Sequence, residues 1–295
     1  MIYVWIEIVQ RLRKRRPVLA VNPRRQVPWN ALDLLVLFLL AILLQGILVG
    51  VLQKTLGTDV FGPLLSDRSN DLSKAHPLQE IFVQAGWSIR IACTLIAVIV
   101  APLCEEMVFR VIFQGWLEKT DRILRVRFRG LTRLCRWGTL PVLISSFVFA
   151  SFHFRFERTT VQGKDITLLL MLTFASFELV LLGIIVFALR LRGATWSDLG
   201  WEPRRLLGDV WLGLSTFFAI AIPLFFGHNL LTKVFQSFLP VYIAPDPIPL
   251  FFFAIVLGTL YLRTHRAVAS ITTHAAFNAC SMGSLWLYVL HRAFQ

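Results

Sequence analysis

Charge is scarce in this chain of 295 residues: Asp, Glu, Lys and Arg make up 16%, against about 25% in an ordinary soluble protein. Cysteine is scarce too. Cys93, Cys104, Cys135 and Cys280 form no CxxC and no paired spacing, so neither a disulfide framework nor a cysteine-ligated zinc site is indicated. The sequence has no HExxH, which excludes the two-histidine zinc helix of soluble metalloproteases. It has no internal repeat of the kind a carrier built from inverted halves would carry. The first residues are apolar and the next ones basic, the reverse of a secretory signal peptide. Residues 1–10 read instead as an interfacial anchor, with Tyr3 and Trp5 at headgroup level.

What fills the sequence is apolar. Hydrophobic residues make up 56%, and they come in long continuous blocks. Continuity rather than alternation favours helices, and in lipid a backbone must satisfy its own hydrogen bonds. The expected fold is therefore all-α, a polytopic transmembrane bundle with about seven spans. These lie near 31–53, 89–117, 139–154, 166–189, 210–231, 248–262 and 267–290. A span needs about 20 residues, so the third and sixth are short and the second is long. Residues 1–30 form a basic cytoplasmic segment and 31–295 the membrane domain, with a polar loop at 59–74 and a basic loop at 118–137.

The net charge of +13 does not imply nucleic acid, because the basic residues gather at the ends of apolar blocks. With the N-terminus inside, 20 Lys and Arg fall on the cytoplasmic side and 8 on the other. This asymmetry orients the chain with its C-terminus outside. Membrane lipids are the implied partners, with the basic loop at 118–137 a contact for anionic lipid. Oligomeric state is not legible.

Three polar clusters interrupt the apolar blocks. The first is Glu105, Glu106 and Arg110 in the second span. Charge inside a membrane span is costly and reads first as functional. Glu106 and Arg110 are four apart and share a helix face, so they neutralise each other and pin the helix. Glu105, rotated by about 100°, keeps a carboxylate for general base chemistry. The second cluster ends on His153, which alone is as consistent with an interfacial histidine as with a catalytic one. The third is His274 and Asn278, four apart on one face. They read either as two donors to an oxyanion or as an interhelical polar clasp.

Depth allows the clusters to meet. Glu105 and His153 each lie ~20 Å from the basic loop, counting about 1.5 Å per residue. By the same rise, His274 and Asn278 lie ~12 and ~18 Å from Arg266 at the start of the last span.

Glu105-Glu106-x-x-x-Arg110, Phe149-x-x-x-His153 and His274-x-x-x-Asn278, in that order and in membrane spans, resemble the three motifs of the CPBP family of CAAX proteases and bacteriocin-processing enzymes. The resemblance covers about 89–154 and 248–284. It implies an intramembrane endopeptidase acting on a membrane-associated protein or peptide, in a bacterial plasma membrane. Glu105 and His153 would position and activate a water, and His274 and Asn278 would stabilise the oxyanion. Glu106, Arg110 and Phe149 would shape the site. No cofactor is favoured. A zinc-dependent version of the same peptidase would use Glu105, His153 and His274 as ligands, and would leave Asn278 as the sole oxyanion donor. Two readings from other classes are a proton-coupled transporter and a non-catalytic membrane scaffold. The chain departs from the family pattern in the separation of the second and third motifs, where residues 155–247 form an atypical two-span insertion. Within it the stretch 194–203 resembles sequence usually placed before the first motif, and Glu178 has no family counterpart.

Overall fold

Apolar runs without alternation leave the backbone one way to satisfy itself in lipid, by bonding within each segment. The described residues are accordingly helical, with no strand among them. The structure is a computed structural model, and it describes residues 2–19, 21–22, 26–56, 82, 85–127, 139–153, 168–238 and 247–293. In chain order the helices are α1 (Ile2–Arg13), α2 (Ala31–Leu56), α3 (Trp87–Arg127), α4 (Thr139–Phe152), α5 (Leu168–Leu191), α6 (Leu206–Phe238), α7 (Pro247–Thr264) and α8 (Ala267–Ala293).

Among the described residues, four stretches are long and apolar enough to cross a membrane: Ala31–Thr55, Trp87–Arg127, Leu168–Leu191 and Pro203–Gly227. The chain is an integral membrane protein. The other three expected spans are α4, α7 and α8. Of these, α4 has 14 residues and reaches ~21 Å, against a hydrocarbon core of about 30 Å. α8 carries Ser, Thr, His and Asn through its first half.

Residues 118–127 depart from the expected basic loop, since α3 continues through them as helix to Arg127. An Arg125–Asp121 pair at 2.7 Å, four residues apart, supports this extension. Glu178, which has no family counterpart, lies on an exposed face of α5. Residues 59–74, 128–138 and 154–167 lie outside the described residues.

The chain sorts into two compact units. One comprises Met1–Asn30, Pro102–Phe154 and Leu189–Phe277. Its centre is the packing of α4 on α7, around the buried side chains of Phe149, Phe253, Leu257 and Tyr261. The residues before α2 strap this unit. Trp29 is fully buried, and its Nε1 donates to the Ile112 carbonyl at 3.0 Å. Lys119 Nζ donates to the carbonyls of Val27 and Trp29 at 3.0 and 2.9 Å. The loop after α5 anchors the start of α8 through Ala267 N–H, which donates to the Gly200 carbonyl at 3.1 Å. Gly200 has φ +77, and a Cβ there would sit 2.5 Å from Ala267 N, so only glycine permits this approach.

The other unit comprises Ala31–Ala101, Arg155–Ala188 and Asn278–Gln295. Its core holds Phe82, Cys93, Met282 and Val289. Trp286 stands edge-on to Phe82 at 5.1 Å and donates its indole N–H to Thr94 Oγ1 at 3.0 Å. The apolar faces of α2 and α5 are exposed over most of their length, as lipid-facing helices require.

Candidate active site

The winding of α3 changes around the two acids. A short α-helical piece, Ala101–Glu106, lies between two π-helical stretches, Ile96–Val100 and Met107–Gln114. Such stretches recur at functional sites because they shift side chains and release backbone groups. Here the wide turn gives Ala101 N–H to the Ile96 carbonyl. The next residue, Pro102, has no N–H for Ala97. Asn278 Nδ2 supplies that donor, at 2.8 Å from the Ala97 carbonyl.

Glu106 and Arg110 are fully buried and paired, with Nε 3.2 Å from Oε2. The four-residue spacing read from the sequence makes this contact. The other oxygen of Glu106 has a partner that spacing does not reveal: His274 Nδ1 lies 3.1 Å from Oε1. Glu106 is therefore shared between Arg110 on its own helix and His274 on α8.

Glu105 faces two imidazoles. Its Oε2 is 3.8 Å from His153 Nε2 and 3.9 Å from His274 Nε2. That oxygen is buried and has no hydrogen-bond partner among the described residues. The far side of each ring is already committed. His153 Nδ1 lies 2.8 Å from the Phe149 carbonyl, and His274 Nδ1 faces Glu106. A carbonyl and a carboxylate only accept, so both Nδ1 atoms are the N–H donors. Each neutral ring therefore presents the lone pair of Nε2 toward Glu105, and each protonated ring presents an N–H there.

Phe149 fills the space between these groups. Its ring centroid is 4.6 Å from that of His153 and 6.1 Å from that of His274. The Arg110 guanidinium carbon lies 5.2 Å from the same ring. Phe253 packs edge-on to His274 at 5.4 Å. The rings restrict both imidazoles and exclude water from the Glu106–Arg110 pair.

Glu105, Glu106, Arg110, Phe149, His153 and His274 are thus drawn together within the first unit. Asn278 belongs to the second, where its amide holds Ala97. Sequence reading missed two fully buried polar residues behind the pair, Gln114 and Ser145. Arg110 Nη1 donates to Ser145 Oγ at 3.3 Å, and Ser145 Oγ donates to Gln114 Oε1 at 3.1 Å. One signal was available: 106, 110, 114 and 118 form a polar stripe at every fourth position of an otherwise apolar helix. A separate cavity of about 510 Å³, lined by Trp201, Arg205, His265 and Arg266 among others, contains none of the motif residues.

A partly exposed acid beside a buried one, with two oriented imidazoles and apolar rings around them, supplies groups that amide hydrolysis can use. No curated protein and no solved structure matches the chain. Residues 87–197 match the family model described as "Type II CAAX prenyl endopeptidase Rce1-like". The matched stretch includes the first two motifs and ends before His274 and Asn278. That stretch is less than half of the chain, and over it the sequence is similar to CAAX-type endopeptidases, a class of hydrolase.

Proposed function

We propose that Glu105 is the general base of this peptidase, acting on a water that it shares with His153. The observation that carries this reading is the pair of 3.8 and 3.9 Å gaps between Glu105 Oε2 and the two Nε2 atoms. A water at hydrogen-bond distance from the carboxylate, about 2.6–3.2 Å, also reaches an imidazole. It donates one hydrogen to Glu105 and the other to His153 Nε2, which turns its lone pair toward the scissile carbonyl. Glu105 takes the proton as the C–O bond forms, and returns it to the amide nitrogen as the C–N bond breaks. His274, with Nδ1–H fixed on Glu106, donates from its protonated Nε2 to the oxyanion.

The substrate is a peptide bond of a membrane-associated protein or peptide, and the family description points to a prenylated CAAX terminus. We place the protein in a bacterial plasma membrane, with its N-terminus in the cytoplasm. The 20-to-8 distribution of Lys and Arg supports this direction. Cysteine-accessibility labelling on both sides of the membrane checks it, and labelling of residues 1–30 from outside would reverse it.

Zinc is the second reading. Both Nε2 atoms and a carboxylate oxygen converge, and each Nδ1–H is held by an acceptor, as in metal-ligating histidines. The donor chemistry fits. The gaps of 3.8 and 3.9 Å exceed the ~3.4 Å edge of a tetrahedron with zinc–nitrogen bonds of about 2.0–2.1 Å. Among the described residues no group of three is spaced to hold a metal ion as it stands; the metal-free reading leads because zinc on His274 would remove that histidine as an oxyanion donor. If zinc binds, Glu105, His153 and His274 hold it, and it supplies an acidified water.

Cleavage of a prenylated CAAX peptide in liposomes by wild type and Glu105→Gln tests the proposal. Loss of turnover is expected. Equal rates, or no cleavage by wild type of either prenylated or plain peptide, would end it. Stoichiometric zinc that disappears in His153→Ala would select the second reading.

A further inference from the structure

Glu106, Arg110, Gln114 and Glu118 recur at every fourth position of α3. On an α-helix that spacing drifts by about 40° per step, and the four would fan around the helix. The stretch Met107–Gln114 is instead π-helical, and Glu106, Arg110 and Gln114 are all fully buried along it. Gln114 closes the stretch. Its side chain is fully buried and its amide is fully engaged. Nε2 donates to the Gly258 carbonyl at 2.9 Å and to Glu118 Oε1 at 3.1 Å, while Oε1 accepts from Ser145 Oγ at 3.1 Å.

Only one orientation of this amide satisfies its neighbours. Turned over, its carbonyl would face the Gly258 carbonyl and the Glu118 carboxylate, two acceptors. Close packing prevents drift as well. A Cβ on Gly258 would lie 2.9 Å from Gln114 Oε1 and 3.0 Å from Val142 Cγ1. From this fixed point a run of directed bonds leads to the site. Ser145 accepts from Arg110 Nη1, Arg110 Nε holds one oxygen of Glu106, and the other oxygen holds His274 Nδ1.

We propose that Gln114, acting with Ser145, is a positioning residue for hydrolysis: it fixes the Arg110 guanidinium, and through Arg110 and Glu106 it aims His274 at Glu105. The inference rests on the reading of Glu105 and His274 given above. Gln114 touches none of the reacting groups. Its loss therefore lowers kcat by misaiming His274 and leaves peptide binding intact. A polar clasp that only held the helices together would change melting and leave kcat of the folded protein alone.

The test uses full-length protein in liposomes with a prenylated CAAX peptide. It reads kcat, KM and thermal melting for Gln114→Leu, Ser145→Ala and Ser145→Thr. Gln114→Leu is expected to lose about 10–100-fold in kcat, the usual cost of removing a supporting hydrogen bond behind a functional histidine, with KM within about twofold. Ser145→Ala should share the loss, and Ser145→Thr, which keeps the hydroxyl, should restore most of it. A folded Gln114→Leu with wild-type kcat overturns the inference, as does a loss confined to KM. If Gln114→Leu does not fold, the serine pair decides, and equal defects in Ser145→Ala and Ser145→Thr overturn it. Glu105→Gln run alongside separates the two levels. If it stays active the catalytic reading falls. If it is inactive while Gln114→Leu is normal, only the positioning inference falls.

Discussion

The two units handle polar groups in opposite ways. In the unit around α4 and α7, buried polar side chains form one connected network: His274, Glu106, Arg110, Ser145, Gln114 and Glu118 are linked by successive hydrogen bonds. Among the described residues of the unit holding Trp286, side-chain hydrogen bonds run mostly to backbone carbonyls. Trp286 bonds Thr94, and Asn278 caps Ala97. An isolated polar clasp suffices to hold helices in register. A buried charge pair, by contrast, repays its desolvation only when further hydrogen bonds satisfy both partners. The network in the first unit ties Glu106 and Arg110 to His274 and Ser145, while Arg110 Nη2 has no partner among the described residues.

Mutations that treat the two units differently test this contrast. The largest effect is expected at Glu105. Glu105→Gln should lower turnover by about 10²–10⁴-fold, the range of general base catalysis, with little change in melting, because the neutral amide still fits its partly exposed site. A single-turnover assay in liposomes reads this directly. Next comes Arg110→Leu, which leaves Glu106 buried without its cation and should cost about 3–5 kcal/mol of stability. Denaturation in mixed micelles measures it, and a loss under 1 kcal/mol would mean the pair behaves as a surface one and the contrast is wrong.

Gly258→Ala should cost about 1–3 kcal/mol by overpacking against Gln114 and Val142, and it should lower activity in parallel because the pressure falls on the network. Melting and turnover of the same preparation check that coupling. The smallest effect belongs to the second unit. Trp286→Phe removes one bond to Thr94 and should cost about 1 kcal/mol with turnover unchanged. Loss of turnover there would show that the second unit takes part in catalysis, and would erase the distinction drawn here.

Legibility followed the range of the interaction. Glu106 with Arg110 was readable because both residues sit on one helix and four-residue spacing puts them on one face. The stripe through Gln114 and Glu118 was visible for the same reason, although the π winding of that stretch was not. The second partner of Glu106 was hidden, since His274 lies 168 positions away and no local rule selects which acid a distant imidazole meets. Asn278 shows the opposite case. Its spacing from His274 suggested a shared donor role, and the structure engages its amide with the carbonyl that Pro102 leaves without a donor. Residues 118–127 read as loop from their basic composition, but i,i+4 pairing kept them helical. Four of the seven expected spans are long and apolar enough to cross a membrane, and α4 and α7 are shorter apolar helices, as their short apolar blocks in the sequence implied.

Composition alone determined that this protein is helical, because continuous apolar blocks in lipid allow little else, and the resemblance of three ordered polar motifs to a known family pointed to a membrane peptidase. Tertiary structure decided which nitrogen of each imidazole faces Glu105, which oxygen of Glu106 serves which partner, and that Gln114 and Ser145 stand behind them. Those choices depend on side chains from α3, α4, α7 and α8 reaching one another within hydrogen-bond distance. Such distances are set by packing across elements far apart in the chain, and no periodicity along a single helix carries them.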